Sequence, residues 1–115
     1  MNKVELEERT KQFALGVILF VAGLPKNNVN NVVGGQLLKS GTSVGANYRE
    51  ANRAESRRDF IHKIGLVEKE AAETQYWLDL SQEARLGNDQ ERQKLLQESG
   101  ELLAIFTSIG RTSKR

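Results

Sequence analysis

The chain has 115 residues, enough for one domain built around one core. It carries no cysteine, which excludes disulfides, thiolate metal sites and cysteine nucleophiles. Seventeen basic against fifteen acidic residues leave a net charge of +2, a balance too mild to identify a nucleic-acid binder by charge alone.

The first helix is expected from about Val4 to Gly23, with Asn2 as its cap and Glu5 three residues on in a capping-box pattern. Its second half, Phe13 to Ala22, is apolar around the whole circumference. A surface helix of a monomer shows a single stripe, so a second covered face is expected, supplied by other copies of the chain. Phe13, Val17 and Phe20 are the residues expected at that interface, together with Trp77. The same apolar run is too short to span a bilayer, which takes about 20 apolar residues. The start of the chain is acidic (Glu5, Glu7, Glu8) where a secretory signal would be basic, and a cytoplasmic location is expected.

Gly23-Leu24-Pro25-Lys26 forms the turn to a second helix, capped by Asn27 or Asn28 and running to about Arg53 or Ala54. Val29, Val33, Leu37, Ser40, Val44, Tyr48 and Ala51 follow steps of four and three along one face. Gly34, Gly35, Gly41 and Gly45 also lie in this helix. Each interior glycine costs about 1 kcal/mol relative to alanine. Four would remove roughly 4 kcal/mol from a total stability of about 5–15 kcal/mol. Close helix–helix approach is the expected offset. The stripe keeps its phase across Gly34-Gly35, which favours a continuous helix over a break.

The third helix starts at Ser56, with Asp59 completing the capping pattern, and is expected to reach about Leu86. Phe60, Ile64, Val67, Ala71, Thr74, Leu78 and Ser81 form a heptad seam, the mark of near-antiparallel helices crossing at about 20°. Gly87 is the expected left-handed residue after this helix, and Asn88 caps the fourth. Leu95, Leu96, Leu102, Leu103, Phe106 and Ile109 make the inner stripe of the fourth helix. Past Gly110, the tail Arg111-Thr112-Ser113-Lys114-Arg115 is basic and is expected to fray. Short connections between long helices give one all-α domain over residues 1–115, an antiparallel up-down-up-down four-helix bundle.

Catalytic patterns are weak. His62 is the sole histidine, and no Glu-x-x-His pair exists for a di-metal bundle site. Gly41-Thr42-Ser43-Val44-Gly45 matches the letters of a nucleophile elbow, but that motif needs a strand before it and a parallel sheet to hold it. Neither is expected here, so the glycines read as packing residues. The same glycines lack the Gly-Lys-Ser/Thr of a phosphate loop. No catalytic residue, metal or cofactor is expected, and the chain is read as a non-enzyme.

Arg49, Arg53, Arg57, Arg58, Lys63 and Lys69 cluster about the junction of the second and third helices, interleaved with Glu50, Glu55, Asp59 and Glu68, and the first five are the residues expected to contact phosphate. One reading is a solvated, salt-bridged face. The other is phosphate contact, for which the planar arginine fork is suited. Association of several copies would multiply this patch into a large basic surface.

Gln36-Leu37-Leu38-Lys39-Ser40-Gly41-Thr42-Ser43-Val44-Gly45-Ala46-Asn47-Tyr48-Arg49-Glu50-Ala51 resembles the signature of the bacterial four-helix-bundle family named after open reading frames in 23S rRNA intervening sequences. Asp59-Phe60-Ile61, Glu68 to Thr74 and Tyr76-Trp77-Leu78 extend the resemblance, as do Leu24-Pro25-Lys26, Arg9-Thr10 and Phe13-Ala14. The resemblance implies a bundle that assembles as a ring, with a pentamer the favoured count. A related branch is the accessory protein of diversity-generating retroelements. Kinship with it implies a reverse transcriptase and nucleic acid, RNA or DNA, as partners. Tyr48-Arg49-Glu50-Ala51 is a common sub-pattern where many members have Ile-Ala-Glu-Gly. The expected function is a homo-oligomeric bundle binding nucleic acid or a ribonucleoprotein through its basic surface. The alternative is a structural adaptor for a protein partner.

Overall fold

Each helix begins at a side chain that accepts a hydrogen bond from a backbone N–H otherwise left without a partner. Asn2 accepts from the Glu5 amide at 2.9 Å, Asn27 from Asn30 at 2.8 Å, Ser56 from Asp59 at 3.0 Å and Asn88 from Glu91 at 2.9 Å. The computed structural model describes every residue from Met1 to Arg115. Its four helices are α1 (Lys3–Ala22), α2 (Asn28–Asn52), α3 (Arg57–Glu83) and α4 (Asp89–Ser113). The molecule measures 44 × 23 × 20 Å, a length set by the 27 residues of α3 at about 1.5 Å each. Each helix lies close to its neighbours in chain order, α1 also lies close to α4, and the diagonal pairs meet only through side chains in the core. This is an all-α four-helix bundle. No helix is long and apolar enough to cross a membrane.

The core contains Phe13, Val17 and Phe20 from α1, Leu37, Val44 and Tyr48 from α2, Ile64, Val67 and Leu78 from α3, and Leu102 and Phe106 from α4. Tyr48 packs against Phe106 with ring centroids 5.2 Å apart. α2 is continuous through Gly34 and Gly35. A Cβ on Gly41 would lie 3.0 Å from both Val17 methyls, and one on Gly45 would lie 3.0 Å from Thr10 Oγ1. The glycines of α2 therefore serve the α1–α2 contact, except Gly35, whose outer side is open.

Three expectations need correction. At the start of α2 the inward face is Asn30 and Gly34, not Val29 and Val33. Val29 is exposed because Asn30 turns inward to donate to Pro25 O at 2.7 Å, and Gly34 closes on Val21 and Leu24. α3 stops at Glu83 rather than Leu86 because Arg85 takes up the left-handed conformation, φ +56°. The amide of Leu86 then bonds to Ser81 O and that of Arg85 to Gln82 O, the Schellman pattern that ends a helix. Gly87 is a second left-handed residue, φ +69°. Finally, α4 does not fray at Gly110 but runs on to Ser113.

Two arginines fasten the bundle. Arg92 is 2 % exposed and donates to Gln82 Oε1, Leu86 O, Gly87 O and Asp89 Oδ1, tying down the α3–α4 turn. Arg9 spans the loosely packed α1–α4 side, donating twice to Glu98 at 2.7 and 2.6 Å and once to Glu101 at 3.0 Å. The Glu98 hydrogen bonds push the Arg9 guanidinium further above its ordinary pKa. Glu101 is held below the usual carboxylate range, first by the Gln97 amide and then by Arg9.

Candidate nucleic-acid interface

Up-down-up-down topology sends the end of α2, the start of α3 and the end of α4 to one pole of the bundle. The five basic residues singled out in the sequence all lie there, but in different electrostatic settings. Arg53, which closes α2, and Arg58 in the first turn of α3 are exposed and have no ion-pair partner. Arg49 is exposed, and its Nη1 stands 3.7 Å from Glu7 Oε1. Lys63 Nζ lies 3.3 Å from Asp59 Oδ2 across one helical turn. Exposed pairs of this kind contribute about 0–1 kcal/mol and yield readily to a competing anion.

Arg57 has a different task. Its Nε and Nη2 donate to Ser113 O at 3.1 and 2.9 Å, and Nη2 also reaches Arg115 O. The last carbonyls of a helix have no partner within it and carry the negative end of its dipole. Arg57 therefore caps α4 from the first residue of α3. This contact explains why α4 extends past Gly110, and a separation of 56 residues hides it from local pattern reading.

The residues expected to contact other copies are placed elsewhere. Phe13, Val17 and Phe20 are covered by the chain's own core, at 4 %, 0 % and 2 % exposure, so they offer nothing to a neighbour. The apolar outer face of α1 consists instead of Leu15, Ile18 and Leu19, the last 69 % exposed. Trp77 is half-buried against the core and meets Tyr76 edge-on at 5.0 Å; the outward aromatic is Tyr76. His62 is exposed on α3, and Ser43 lies within α2, donating to Lys39 O at 2.6 Å. The Gly-x-Ser-x-Gly letters thus sit in a packed helix.

This is an all-α bundle with a cationic pole and an apolar flank. The chain belongs to the 23S rRNA-intervening sequence protein family, whose model matches residues 2–108. It is similar to a protein of unknown function from the S23 ribosomal protein family of Bacteroides thetaiotaomicron VPI-5482, solved as a crystal structure at 1.70 Å. The two are 33% identical and superpose with a TM-score of 0.86, over 96% of this chain and 99% of that one. No match is found among curated proteins.

Proposed function

We propose that this protein is a non-enzymatic bundle that associates with copies of itself and binds nucleic acid, or a ribonucleoprotein, through its cationic pole. The observation that carries the reading is the pair Arg53 and Arg58, exposed and without carboxylate partners where α2 hands over to α3. Burial and pairing consume most charges that serve folding alone, as Arg9 and Arg92 show. A free guanidinium keeps its planar donor fork for phosphate oxygens. Leu15, Ile18 and Leu19 support self-association, since contiguous exposed apolar surface of this kind marks contact sites.

The test is a binding titration against RNA and DNA over a range of salt. Contact with Z phosphates gives a log–log slope of about −0.9Z on duplex DNA. Affinity should fall as salt rises, and Arg53→Glu with Arg58→Glu should abolish retention. Salt-independent binding would refute phosphate contact at the pole, and retention untouched by the charge reversal would favour the structural adaptor instead. Light scattering with and without nuclease reads the assembly. The mass should be a multiple of 12.9 kDa, five copies being the count the resemblance implies. Ile18→Glu should lower it.

A further inference from the structure

We infer that the C-terminal segment Arg111–Arg115 completes the nucleic-acid interface, and that Arg57 is the residue that positions it. The inference rests on the reading of the pole as a nucleic-acid interface. The segment lies beyond residues 2–108, the stretch matched to the family.

Three observations place the segment in the site. First, α4 is helical to Ser113, so Arg111 is held by the fold. The hold is specific: Arg57 grips Ser113 O with two donors, while the Ser113 hydroxyl donates back to Ile109 O at 2.7 Å. Second, Arg111 and Lys114 continue the row Leu96, Gly100, Leu103, Thr107 along α4, in steps of three and four. That row faces α3: Leu96 and Leu103 line a groove with Ala72 and Tyr76, and Gly100 lies against Gln75. Arg111 and Lys114 therefore stand on the side of α4 that meets the start of α3, where Arg57 and Arg58 lie. Third, Arg111, Lys114 and Arg115 are exposed and none is ion-paired.

The charge distribution supports one continuous surface. Residues 49–63 and 111–115 together hold eight basic and three acidic side chains, a surplus of five positive charges. The rest of the chain holds nine basic and twelve acidic, a deficit of three. The acidic start of α1 is at the same pole, but Glu7 is turned to α2, where it meets Arg49 and Asn52, and the backbones of α1 and α3 do not approach closely. Glu68 of α3, whose carboxylate lies against Gly110 of α4, adds one negative charge beside these segments and leaves a surplus of four. A surface of this sign and extent suits a flexible polyanion that can touch several cations at once, and single-stranded RNA is the occupant proposed.

Arg57 acts through the tail. Its Nε and Nη2 are engaged by Ser113 O and Arg115 O, so a phosphate could take its bidentate fork only by displacing those carbonyls, and Nη1 alone is left to solvent. It is a positioning residue, unlike Arg53 and Arg58.

Anisotropy of a labelled oligouridylate, titrated at several salt concentrations, tests the inference. Arg111→Gln with Lys114→Gln removes two phosphate contacts and should lower the salt slope by about 1.4. The parent-to-variant affinity ratio should then be about 25-fold larger at 0.1 M salt than at 1 M salt. An unchanged circular dichroism spectrum checks that the bundle is intact. Arg57→Gln should speed amide exchange over residues 109–113 and weaken RNA binding. Added to the tail variant, it should weaken binding no further. Full additivity would mean that Arg57 itself touches phosphate and would overturn its positioning role. A tail variant that binds as tightly as the parent, while Arg53→Glu with Arg58→Glu binds weakly, would overturn the tail's part and keep the pole as the interface. If neither variant changes binding, the pole is not the interface and both readings fall. Displacement of the RNA by polyglutamate at equal charge concentration would point to an acidic protein segment and would also overturn the proposal.

Discussion

Gly45→Ala and Gly65→Ala are the same chemical change in the interior of two helices, yet they should move stability in opposite directions. Replacing either glycine removes the backbone-entropy penalty and should return about 1 kcal/mol. At Gly65 nothing lies within 4 Å of the new methyl, so the full gain should appear. At Gly45 the methyl would sit 3.0 Å from Thr10 Oγ1, 3.2 Å from its Cβ and 3.4 Å from its carbonyl carbon. Thr10 cannot swing aside. It is 0 % exposed, and its hydroxyl is fixed by bonds to Leu6 O at 3.0 Å and Glu7 O at 2.9 Å. Helices α1 and α2 must then separate, and overpacking of this kind costs about 1–3 kcal/mol. The net change at Gly45 is a loss of up to about 2 kcal/mol, which opens a gap of about 1–3 kcal/mol between the two variants. Gly45→Leu should lose more still. Urea unfolding at one fixed protein concentration measures both, since association would otherwise shift the midpoint. A Gly45→Ala variant as stable as Gly65→Ala would refute the close-approach account of the α2 glycines.

Other outcomes follow from single contacts. Tyr48→Ala deletes a buried ring that packs on Phe106 and should cost about 3 kcal/mol in urea unfolding; an unchanged midpoint would contradict that packing. Arg92→Ala strands Gln82 Oε1 and the carbonyls of Leu86 and Gly87 and should cost about 3 kcal/mol, at roughly 1 kcal/mol per lost partner. Loosening should begin at the α3–α4 turn, read as faster amide exchange at Leu86. The Glu101 carboxyl is lowered in the folded state, so its contribution is fully present above its unfolded value, near 4.3. It is lost as pH falls through the lower folded value. Urea midpoints of the parent should therefore fall slightly across that acid window, and Glu101→Gln should flatten the slope; equal slopes would count against the Gln97 and Arg9 contacts to this carboxylate.

Capping side chains and apolar spacing were enough to reveal four helices, because both act within one or two turns of chain. Asn2, Ser56 and Asn88 are used as the local patterns predict, and the heptad seam of α3 from Ile64 to Ser81 is buried throughout. The basic cluster at the α2–α3 junction was visible for the same reason. Which faces are covered was less legible. In an all-apolar helix such as the second half of α1, spacing cannot choose between the Phe13–Val17–Phe20 face and the Leu15–Ile18–Leu19 face. Neither could it show that Arg92 and Ser99 point inward, since charge and polarity argue for the surface until partners are known.

Residues close in sequence thus determined the existence, length and ends of most helices, because hydrogen bonds and side-chain neighbours within a helix are local. Tertiary structure alone decided three things. It set the phase of α2 at Asn30 and Gly34, where the turn carbonyl of Pro25 and the α1 contact fix the rotation. It turned Arg57 from a free cation into the cap of α4. It also gathered the two basic segments at one pole. Each of these depends on the approach of groups from separate helices, and their interaction energies exist only once the helices have packed.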